Sequence, residues 1–361
     1  MNIAIIDADL IGRKRHKFPN LACMKISGYY KQLGADISLK TDYDNLENFD
    51  KVFIAKVFTD TPIPDGGLFG NILNLPNVTF GGTGFFFDNP PPLPADIEHF
   101  KPDYNLYNDW LATVDDGGTT FKAYKDYSIG FLTRGCFRHC PFCVNRKSNK
   151  VIKHSPLVEF LDTSRPKICL LDDNFFGYED WKFALQELIN TGKSFTFKQG
   201  LDVRLLDEEK AAMLFKAKYD GDFIFAFDDI ADAPLIIDKL KLIRSLTKKN
   251  VKFYVLCGYD RRGLYDADFW QNDLVNLFRR IEILMKFDAL PFVMKHADYL
   301  NSPFSKLYKC VAWWTNQQHM FKKMSFEEFY IANGYALPHF DFIDEKFFNM
   351  KFERKFDNEK I

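Results

Sequence analysis

Apolar and polar positions alternate in short blocks along the first quarter of the chain. The run NIAIID (2–7) has an apolar centre, which is typical of a buried parallel strand. A helix is predicted over 22–34, where Gly34 suits the residue that follows a helix end. Further strands are predicted at 36–41, 51–58 and 77–82. The alternation of strands and helices predicts a doubly wound, Rossmann-like α/β domain over residues 1–88.

The pattern is interrupted by DNPPPLPAD (88–96), because proline removes the backbone donors that strands and helices need. Residues 89–126 are therefore predicted to be a linker. A second series of apolar runs begins at Tyr127. It predicts six strands, at 127–133, 167–172, 194–199, 222–228, 251–257 and 290–295. Helices are predicted between them at 155–162, 179–191, 207–218, 233–249 and 267–287.

Six consecutive β/α units are typical of a parallel barrel, so a partial (β/α)6 barrel is predicted over 127–320. The active site of such a barrel lies on the loops that follow the carboxyl ends of the strands. The remaining residues, 321–361, are predicted to form a C-terminal helical extension with a helix at 324–334. Its many Phe residues favour packing at the barrel edge, and a partner-binding or lid helix is the alternative.

The composition is that of a globular protein with a sizeable core. Hydrophobic residues make up 47% and charged residues 27%, and the formal net charge is −1, so the whole chain carries no electrostatic attraction for nucleic acid or an anionic membrane. A local basic groove is still compatible with this balance. No apolar run is long enough for a signal peptide or a spanning helix, and seven cysteines do not suggest a disulfide framework. These features predict a cytoplasmic protein.

Cys136, Cys140 and Cys143 form a C-x3-C-x2-C motif in the loop after the first predicted barrel strand. Three thiolates do not complete a structural zinc site, which needs four protein ligands. A zinc site would recruit a fourth ligand from His139, His154 or Cys169. A four-iron cluster held by three thiolates would instead leave one iron open to bind a reactive group.

The motif, with Phe142 before its last cysteine, resembles that of the radical S-adenosylmethionine (SAM) superfamily. The resemblance implies a 4Fe-4S cluster on the three cysteines and SAM on the open iron, with Phe142 near the adenine. It also implies reductive cleavage of SAM and abstraction of a hydrogen atom from a substrate that the sequence does not identify. A small reductant protein, flavodoxin or ferredoxin, is the implied electron donor.

The resemblance also marks polar residues at the ends of the second, third and fourth barrel strands. In LLDDNFFG (170–177), Asp172, Asp173 and Asn174 are candidates to hold the SAM amino group, and a helix N-cap is the alternative. After the third strand the candidates are Gln199 and Arg204. Arg204 would pair with the SAM carboxylate, or form a structural salt bridge with Asp202 or Asp172.

Asp228 ends the fourth strand, at the position where relatives carry Gly-x-Glu-Ser, and would replace the Glu as a ribose ligand. After the fifth strand, CGYDRRG (257–263) offers Gly258 for close backbone approach and two arginines for an anion, with a solvated turn as the alternative. A second set of clustered cysteines is missing from the sequence, which argues against methylthiolation. The four other cysteines, Cys23, Cys169, Cys257 and Cys310, are interpreted as buried small hydrophobes.

The front domain resembles the cobalamin-binding domain of one radical SAM branch. In DADLIG (7–12), Asp7 and Gly12 match the branch, but Asp9 stands where the axial histidine is expected, and GGTG (81–84) matches the later glycine pair. A carboxylate does not replace imidazole as a ligand for a soft cobalt centre. Cobalamin is therefore a doubtful third cofactor: it binds without a protein lower ligand, or the domain has lost it, and the second interpretation is favoured. If cobalamin binds, methyl transfer becomes a candidate outcome.

The competing hypothesis is a non-catalytic, zinc- or cluster-stabilised binding module. Two basic segments would make nucleic acid its partner: GRKRHKFPN (12–20), and the residues around the cysteines. The plainer interpretation is that the basic residues near the cysteines offset the negative charge of a thiolate-bound cluster. The first segment is equally compatible with a solvated loop.

Overall fold

The computed structural model describes residues 1–14, 17–64, 71–115, 117–336 and 339–353. The protein has a mixed α/β fold with parallel sheets. Contacts divide the described residues into two compact units. The first contains Met1–Asp172 and Asn190–Phe195, and the second contains Asp173–Ile189 and Thr196–Ile361. The domain boundaries predicted from the sequence stay a prediction.

The first sheet has the order β2-β1-β3-β4 and is parallel throughout. Its strands are β1 (Asn2–Asp7), β2 (Asp36–Lys40), β3 (Lys51–Ala55) and β4 (Val78–Gly81). Strand β1 is buried from its second residue to its last, as expected for a central strand with both faces covered. All four strands lie where the apolar runs predict them.

Five helices belong to the first unit in the described ranges. They are α1 (Ala8–Gly12), α2 (Leu21–Gln32), α3 (Ala95–Glu98), α4 (Asn108–Val114) and α5 (Lys122–Asp126). Asn20 caps α2, because its side chain accepts a hydrogen bond from the backbone of Cys23, and Gly34 follows the helix with φ +78°. The predicted helix at 22–34 is therefore present.

The segment predicted as a linker, 89–126, contains α3, α4 and α5. Its apolar side chains pack into the same core as Ile3 and Ile5 of β1. Buried members from this segment are Ile97, Tyr104, Leu106, Tyr107, Leu111, Phe121 and Tyr124. The proline run is thus confined to a short stretch before α3, and the residues after it contribute to the core of the first unit.

The strands after Tyr127 form two three-stranded sheets and one hairpin. The strands are β5 (Tyr127–Gly130), β6 (Thr133–Arg134), β7 (Ile152–Lys153), β8 (Lys167–Leu170), β9 (Ser194–Phe197), β10 (Phe223–Ala226), β11 (Val251–Cys257) and β12 (Leu290–Lys295). The sheet orders are β5-β8-β9 and β10-β11-β12, while β6 and β7 pair antiparallel. An isolated parallel bridge joins Leu201, after β9, to Phe225 of β10. The six predicted strands are present, and their closure into a partial barrel stays a prediction.

The later helices are α6 (Trp181–Asn190), α7 (Glu208–Lys216), α8 (Ala233–Leu246), α9 (Ala267–Lys286), α10 (Ser305–Asn316), α11 (Gln318–Phe321), α12 (Phe326–Ala332) and α13 (Lys346–Asn349). The helix predicted at 155–162 is wrong, since only a 3-10 turn forms at Leu157–Glu159. A close contact explains this: a Cβ atom on Gly130 would lie 2.2 Å from Cγ of Phe160, so the chain turns to place Phe160 on the end of β5.

The described part of the C-terminal segment packs into the second unit. Phe347 and Phe348 of α13 are buried and contact Phe278 of α9. Helix α12 begins with a capping box between Ser325 and Glu328. In the described ranges, none of the helices combines the length and apolar character needed to span a bilayer.

Candidate functional site

The loop that carries the three cysteines is closed at its base by the β6–β7 hairpin. Thr133 pairs with Lys153, and Arg134 pairs with Ile152. Gly135 follows with φ +95°, and a Cβ atom there would lie 2.4 Å from the carbonyl oxygen of Lys150. Only glycine fits this position without a shift of the backbone. The backbone therefore turns tightly immediately before Cys136.

Backbone hydrogen bonds shape the interior of the cysteine loop (135–151). The amide of Cys143 donates to the carbonyl of Cys140 over 2.9 Å, and the amide of Cys136 donates to Oγ of Ser148 over 3.1 Å. His139 adopts φ +50°, and its Nδ1 lies 2.9 Å from the carbonyl oxygen of Arg146. The motif therefore sits in a loop with its own turn structure.

The exposure of the thiols separates the motif from the other cysteines. Cys136, Cys140 and Cys143 are partly exposed, while the four isolated cysteines are buried. The interpretation of those four as small core residues is confirmed. The amide of Asn145 also donates to Sγ of Cys143 over 3.4 Å, and hydrogen bonds to sulfur tune the potential of iron–sulfur clusters.

The donor set fits an iron–sulfur cluster in its chemistry, because three partly exposed thiols share one loop with a backbone donor to sulfur. The side chains are not, however, gathered into a ligand group. Among the described residues, no three His, Cys, Asp or Glu side chains lie close enough together to hold a metal ion. The assignment of the cluster ligands therefore stays a prediction from the motif.

Asp172 connects the end of β8 to the base of the cysteine loop. Its buried carboxylate accepts hydrogen bonds from the amide of Leu132 (3.2 Å) and from the amide and hydroxyl of Thr133 (2.7 Å each). A buried carboxylate with several donors holds its neighbours firmly, because each hydrogen bond to a charged group is strong. Asp172 thus anchors the base of the cysteine loop.

The other candidates of this stretch and of the third strand end lie in the second unit. Asp173 is partly exposed and Asn174 is buried. Asn174 occupies the N-cap position of the 3-10 turn Phe175–Gly177, but its side chain makes no capping hydrogen bond, so the N-cap alternative is wrong for this residue. Gln199 is exposed in the turn after β9, which ends at Gly200 with φ +88°.

Arg204 forms the structural salt bridge that the sequence offered as an alternative to binding SAM. Its Nε and Nη2 atoms donate to the two carboxylate oxygens of Asp202, over 2.8 and 3.3 Å. A third bond, from Nη1, reaches Asp232 over 3.2 Å. Both ion pairs lie within the second unit. A carboxylate of SAM would have to share this guanidinium with Asp202.

Asp228 lies just beyond β10 and is held by protein groups. Its Oδ1 atom accepts a hydrogen bond from the amide of Leu256 over 3.0 Å. Desolvation raises the pKa of the Asp228 carboxyl, and this amide and the charges of Arg280 and Arg204 oppose the rise.

Sequence reasoning missed Arg280 on α9. Its side chain is buried, and Nη1 donates to the carbonyl oxygens of Phe227 (3.1 Å), Asp228 (2.9 Å) and Leu256 (2.8 Å). These carbonyls lie where β10 and β11 end. The sequence pattern could have identified Arg280 as a buried charge, because it shares the apolar face of α9 with Leu277 and Leu284.

Contacts within the second unit explain the glycine and the two arginines of the segment CGYDRRG (257–263). Gly258 has φ +76°, and a Cβ atom there would lie 2.8 Å from Cβ of Tyr299, so its close approach is to the chain itself. Arg261 pairs with Asp229 over 3.1 Å, and Arg262 lies 3.4 Å from Asp260. The solvated turn is favoured over the anion site, since both arginine side chains are exposed and paired.

Phe142 and the basic side chains near the motif lie in the first unit. Phe142 is partly exposed. Arg134 stacks over Phe131 at 4.0 Å, and Arg146 pairs with Asp88. These contacts place two arginine side chains beside the cysteine loop, one of them paired with an acid.

The first unit does not fit a cobalt site in which Asp9 replaces the axial histidine. Asp9 is fully buried at the start of α1. One carboxylate oxygen accepts a hydrogen bond from the amide of Val57 over 2.6 Å, and the other accepts one from the hydroxyl of Thr61. Both oxygens are thus engaged by the chain. Of the basic segment 12–20, residues 15 and 16 lie outside the described residues.

No protein-family model and no curated protein matches the chain. Among solved structures, it is similar to the radical SAM methyltransferase TsrM from Kitasatospora setae with cobalamin and a 4Fe-4S cluster bound. The TM-score is 0.52 at 12% identity, over 81% of this chain and 74% of TsrM. The structure of TsrM with tryptophan substrate and a SAM analogue gives a TM-score of 0.53 at 13% identity, over 81% and 72%. The chain therefore has a fold similar to that of a radical SAM methyltransferase, in agreement with the resemblance of its cysteine motif.

Proposed function

We propose that the protein is a radical SAM enzyme in which Cys136, Cys140 and Cys143 hold a 4Fe-4S cluster. The observation that carries the proposal is the C-x3-C-x2-C motif in the loop after β5, in a chain whose fold is similar to that of TsrM. When bound, such a cluster supplies the electron that cleaves SAM to methionine and a 5′-deoxyadenosyl radical, which abstracts a hydrogen atom from the substrate. The substrate is not assigned.

The residues of the loop support this role. Gly135 and the β6–β7 pair hold the loop closed, Asp172 fixes its base, and the amide of Asn145 stabilises the charge on the Cys143 sulfur. The residues proposed to bind SAM are those marked by the sequence: Phe142, Asp172, Asp173, Asn174, Gln199, Arg204 and Asp228. Arg204 would act together with Asp202, since the two side chains already form a bidentate pair.

A methyl transfer is the second candidate reaction, favoured by the similarity to TsrM, a methyltransferase determined with cobalamin bound. The two outcomes give different products from SAM: 5′-deoxyadenosine for hydrogen abstraction, and S-adenosylhomocysteine with a methylated acceptor for simple transfer. Flavodoxin or ferredoxin is the proposed electron donor for the reductive cleavage of SAM, whereas simple methyl transfer consumes no electron.

The first prediction tests the cluster and the chemistry together. The chain reconstituted anaerobically with iron and sulfide should be brown, contain about four irons per chain and form 5′-deoxyadenosine from SAM with dithionite. Alanine at Cys136, Cys140 or Cys143 should abolish both properties. The matched control is Cys310→Ala, which removes a buried, isolated thiol and should retain both.

One result would refute the proposal: stoichiometric zinc with no cleavage of SAM. That result would support the alternative hypothesis of a non-catalytic binding module. The similarity to the two TsrM structures does not support that alternative. Equal iron content in Cys140→Ala and Cys310→Ala would show that the motif does not hold the metal.

A further inference from the structure

The loop after β3, residues 56–62 (the β3 loop), is tied to the start of α1 by Asp9. The amides of Val57 and Phe58 donate to the two Asp9 oxygens over 2.6 and 3.4 Å, and the hydroxyl of Thr61 donates to the same carboxylate. Asp9 is 0% exposed and Thr61 is 2% exposed. The buried carboxylate therefore accepts three hydrogen bonds from this one loop.

Three of the glycines that resemble a cobalamin fingerprint, Gly12, Gly82 and Gly84, approach the same loop closely. A Cβ atom on Gly12 would lie 2.8 Å from Cγ2 of Thr61, and one on Gly84 would lie 2.8 Å from the carbonyl oxygen of Phe58. Gly82 has φ +103°, and its Cβ would lie 2.3 Å from the carbonyl oxygen of Lys56. The close approach that these glycines permit is to the chain itself, and no ligand is needed to explain them.

Two basic side chains hold the β3 loop from other directions. Lys56 is buried, and its Nζ donates to the carbonyls of Thr59 (3.4 Å) and Thr61 (3.0 Å). Arg13, from the basic segment, pairs with Asp60 and lies over the ring of Phe58 at 4.2 Å. Arg13, which directly follows α1, thus also contacts the β3 loop.

We propose that the β3 loop closes the carboxyl edge of the first sheet, with Asp9 as its latch, so that the first unit does not take cobalamin at this edge. Asp9, Gly12, Gly82 and Gly84 all have close neighbours in this loop, whereas Asp7 bonds to Tyr107 and Leu10, and a Cβ atom on Gly81 would meet no atom within 4 Å. Turning Asp9 toward a cobalt ion would leave the buried Thr61 hydroxyl without an acceptor and would break the hydrogen bond from the Val57 amide, which is unfavourable. A carboxylate is also a poor ligand for cobalt in a corrin.

The proposal concerns the first sheet alone and does not depend on the cysteine loop. If the first unit does bind cobalamin, cobalamin-dependent methyl transfer becomes the favoured reaction. The proposal that the cysteine loop supports cleavage of SAM does not change in that case. Conversely, a chain that fails to cleave SAM can still have the closed edge described above.

Binding is tested on the full, reconstituted chain by equilibrium dialysis against hydroxocobalamin and by absorbance titration. We expect no saturable binding and no spectral shift. Saturable binding near one cobalamin per chain would overturn the proposal.

The latch is tested by hydrogen exchange of the amides of Val57 and Phe58. Their exchange should rise by about tenfold or more in Asp9→Ala, and by less in Thr61→Val, which removes one donor only. Asp60→Ala is the matched control: its ion pair with Arg13 is exposed, so exchange should change little. Unchanged exchange in both Asp9→Ala and Thr61→Val would overturn the latch, and Thr61→Val decides the case if Asp9→Ala does not fold.

Discussion

Asp7, the last residue of β1, is a buried acid with an unusual proton affinity. Desolvation raises its pKa to about 7, and the charge of Asp9 adds to the rise. The hydroxyl of Tyr107 and the amide of Leu10 donate to its two oxygens, over 2.8 and 3.3 Å, and limit the shift. The side chain therefore holds its proton more tightly than an exposed aspartic acid does.

The raised pKa of Asp7 predicts a stability that falls as pH rises. Between the unfolded value of 3.8 and the folded value of about 7, the folded chain binds the extra proton, so the free energy of unfolding decreases with pH across this window and the loss is complete above it. Asp7→Asn keeps an acceptor oxygen and removes the charge. It should raise the free energy of unfolding at pH 8 on the order of 3 kcal/mol, and by clearly less at pH 5.

Urea unfolding at the two pH values measures this difference. Asp36→Asn, an exposed carboxylate at the start of β2, is the control and should have little effect at either pH. An equal effect of Asp7→Asn at pH 5 and pH 8 would contradict the raised pKa.

Local sequence patterns identified the residues whose partners lie nearby in the chain. The three cysteines share one loop, and the pair Asp202–Arg204 is separated by a single residue. Asp9 and Thr61 are separated by 52 positions, so their contact depends on how the first sheet folds and left no signal in either segment. Asp172 and Thr133 are also far apart in the sequence, so local patterns could not predict the hydrogen bonds between them.

At the scale of elements, α9 supports the ends of two strands through Arg280. Three strand-end carbonyls accept from one guanidinium nitrogen. Desolvation raises the pKa of the nearby Asp228 and Asp273 carboxyls, and the positive charge of Arg280 limits that rise. A buried charge of this kind is tolerated only because its acceptors are fixed in place.

Arg280→Met should therefore destabilise the second unit by about 3 kcal/mol, because it leaves buried carbonyls without a donor and removes the charge opposite Asp228. Arg279→Met is the matched control: the neighbouring side chain is exposed, and its loss should change the free energy of unfolding by less than about 0.5 kcal/mol. Denaturant unfolding compares the two. Equal stabilities of both variants would contradict the supporting role of Arg280.

Elements were predictable where periodicity was strong. The long amphipathic helix α9 and the alternating strand β11 lie within two residues of their predicted ends. The turn at Leu157–Glu159 was mistaken for a helix because its apolar residues serve contacts across the sheet, such as Phe160 against Gly130. Helix α10 was missed, although its buried residues Leu307, Val311 and Trp314 follow helical spacing.

At the scale of the whole molecule, a fold similar to that of TsrM is retained at 12% identity. A parallel sheet tolerates many different apolar side chains at each buried position, so a fold can be retained at this identity. The sequence therefore predicted the mixed α/β class of the fold and the positions of its main strands along the chain. The substrate depends on a few side chains with no motif of their own, and the sequence could not predict it.

The central claim is that the cysteine loop holds a cluster that binds and cleaves SAM. Its most direct test is the electron paramagnetic resonance spectrum of the anaerobically reconstituted, dithionite-reduced chain, recorded with and without SAM. The account predicts the signal of a reduced 4Fe-4S cluster that changes when SAM is added, and 5′-deoxyadenosine in the same sample. A spectrum without a cluster signal, or a cluster signal that SAM leaves unchanged, would contradict it.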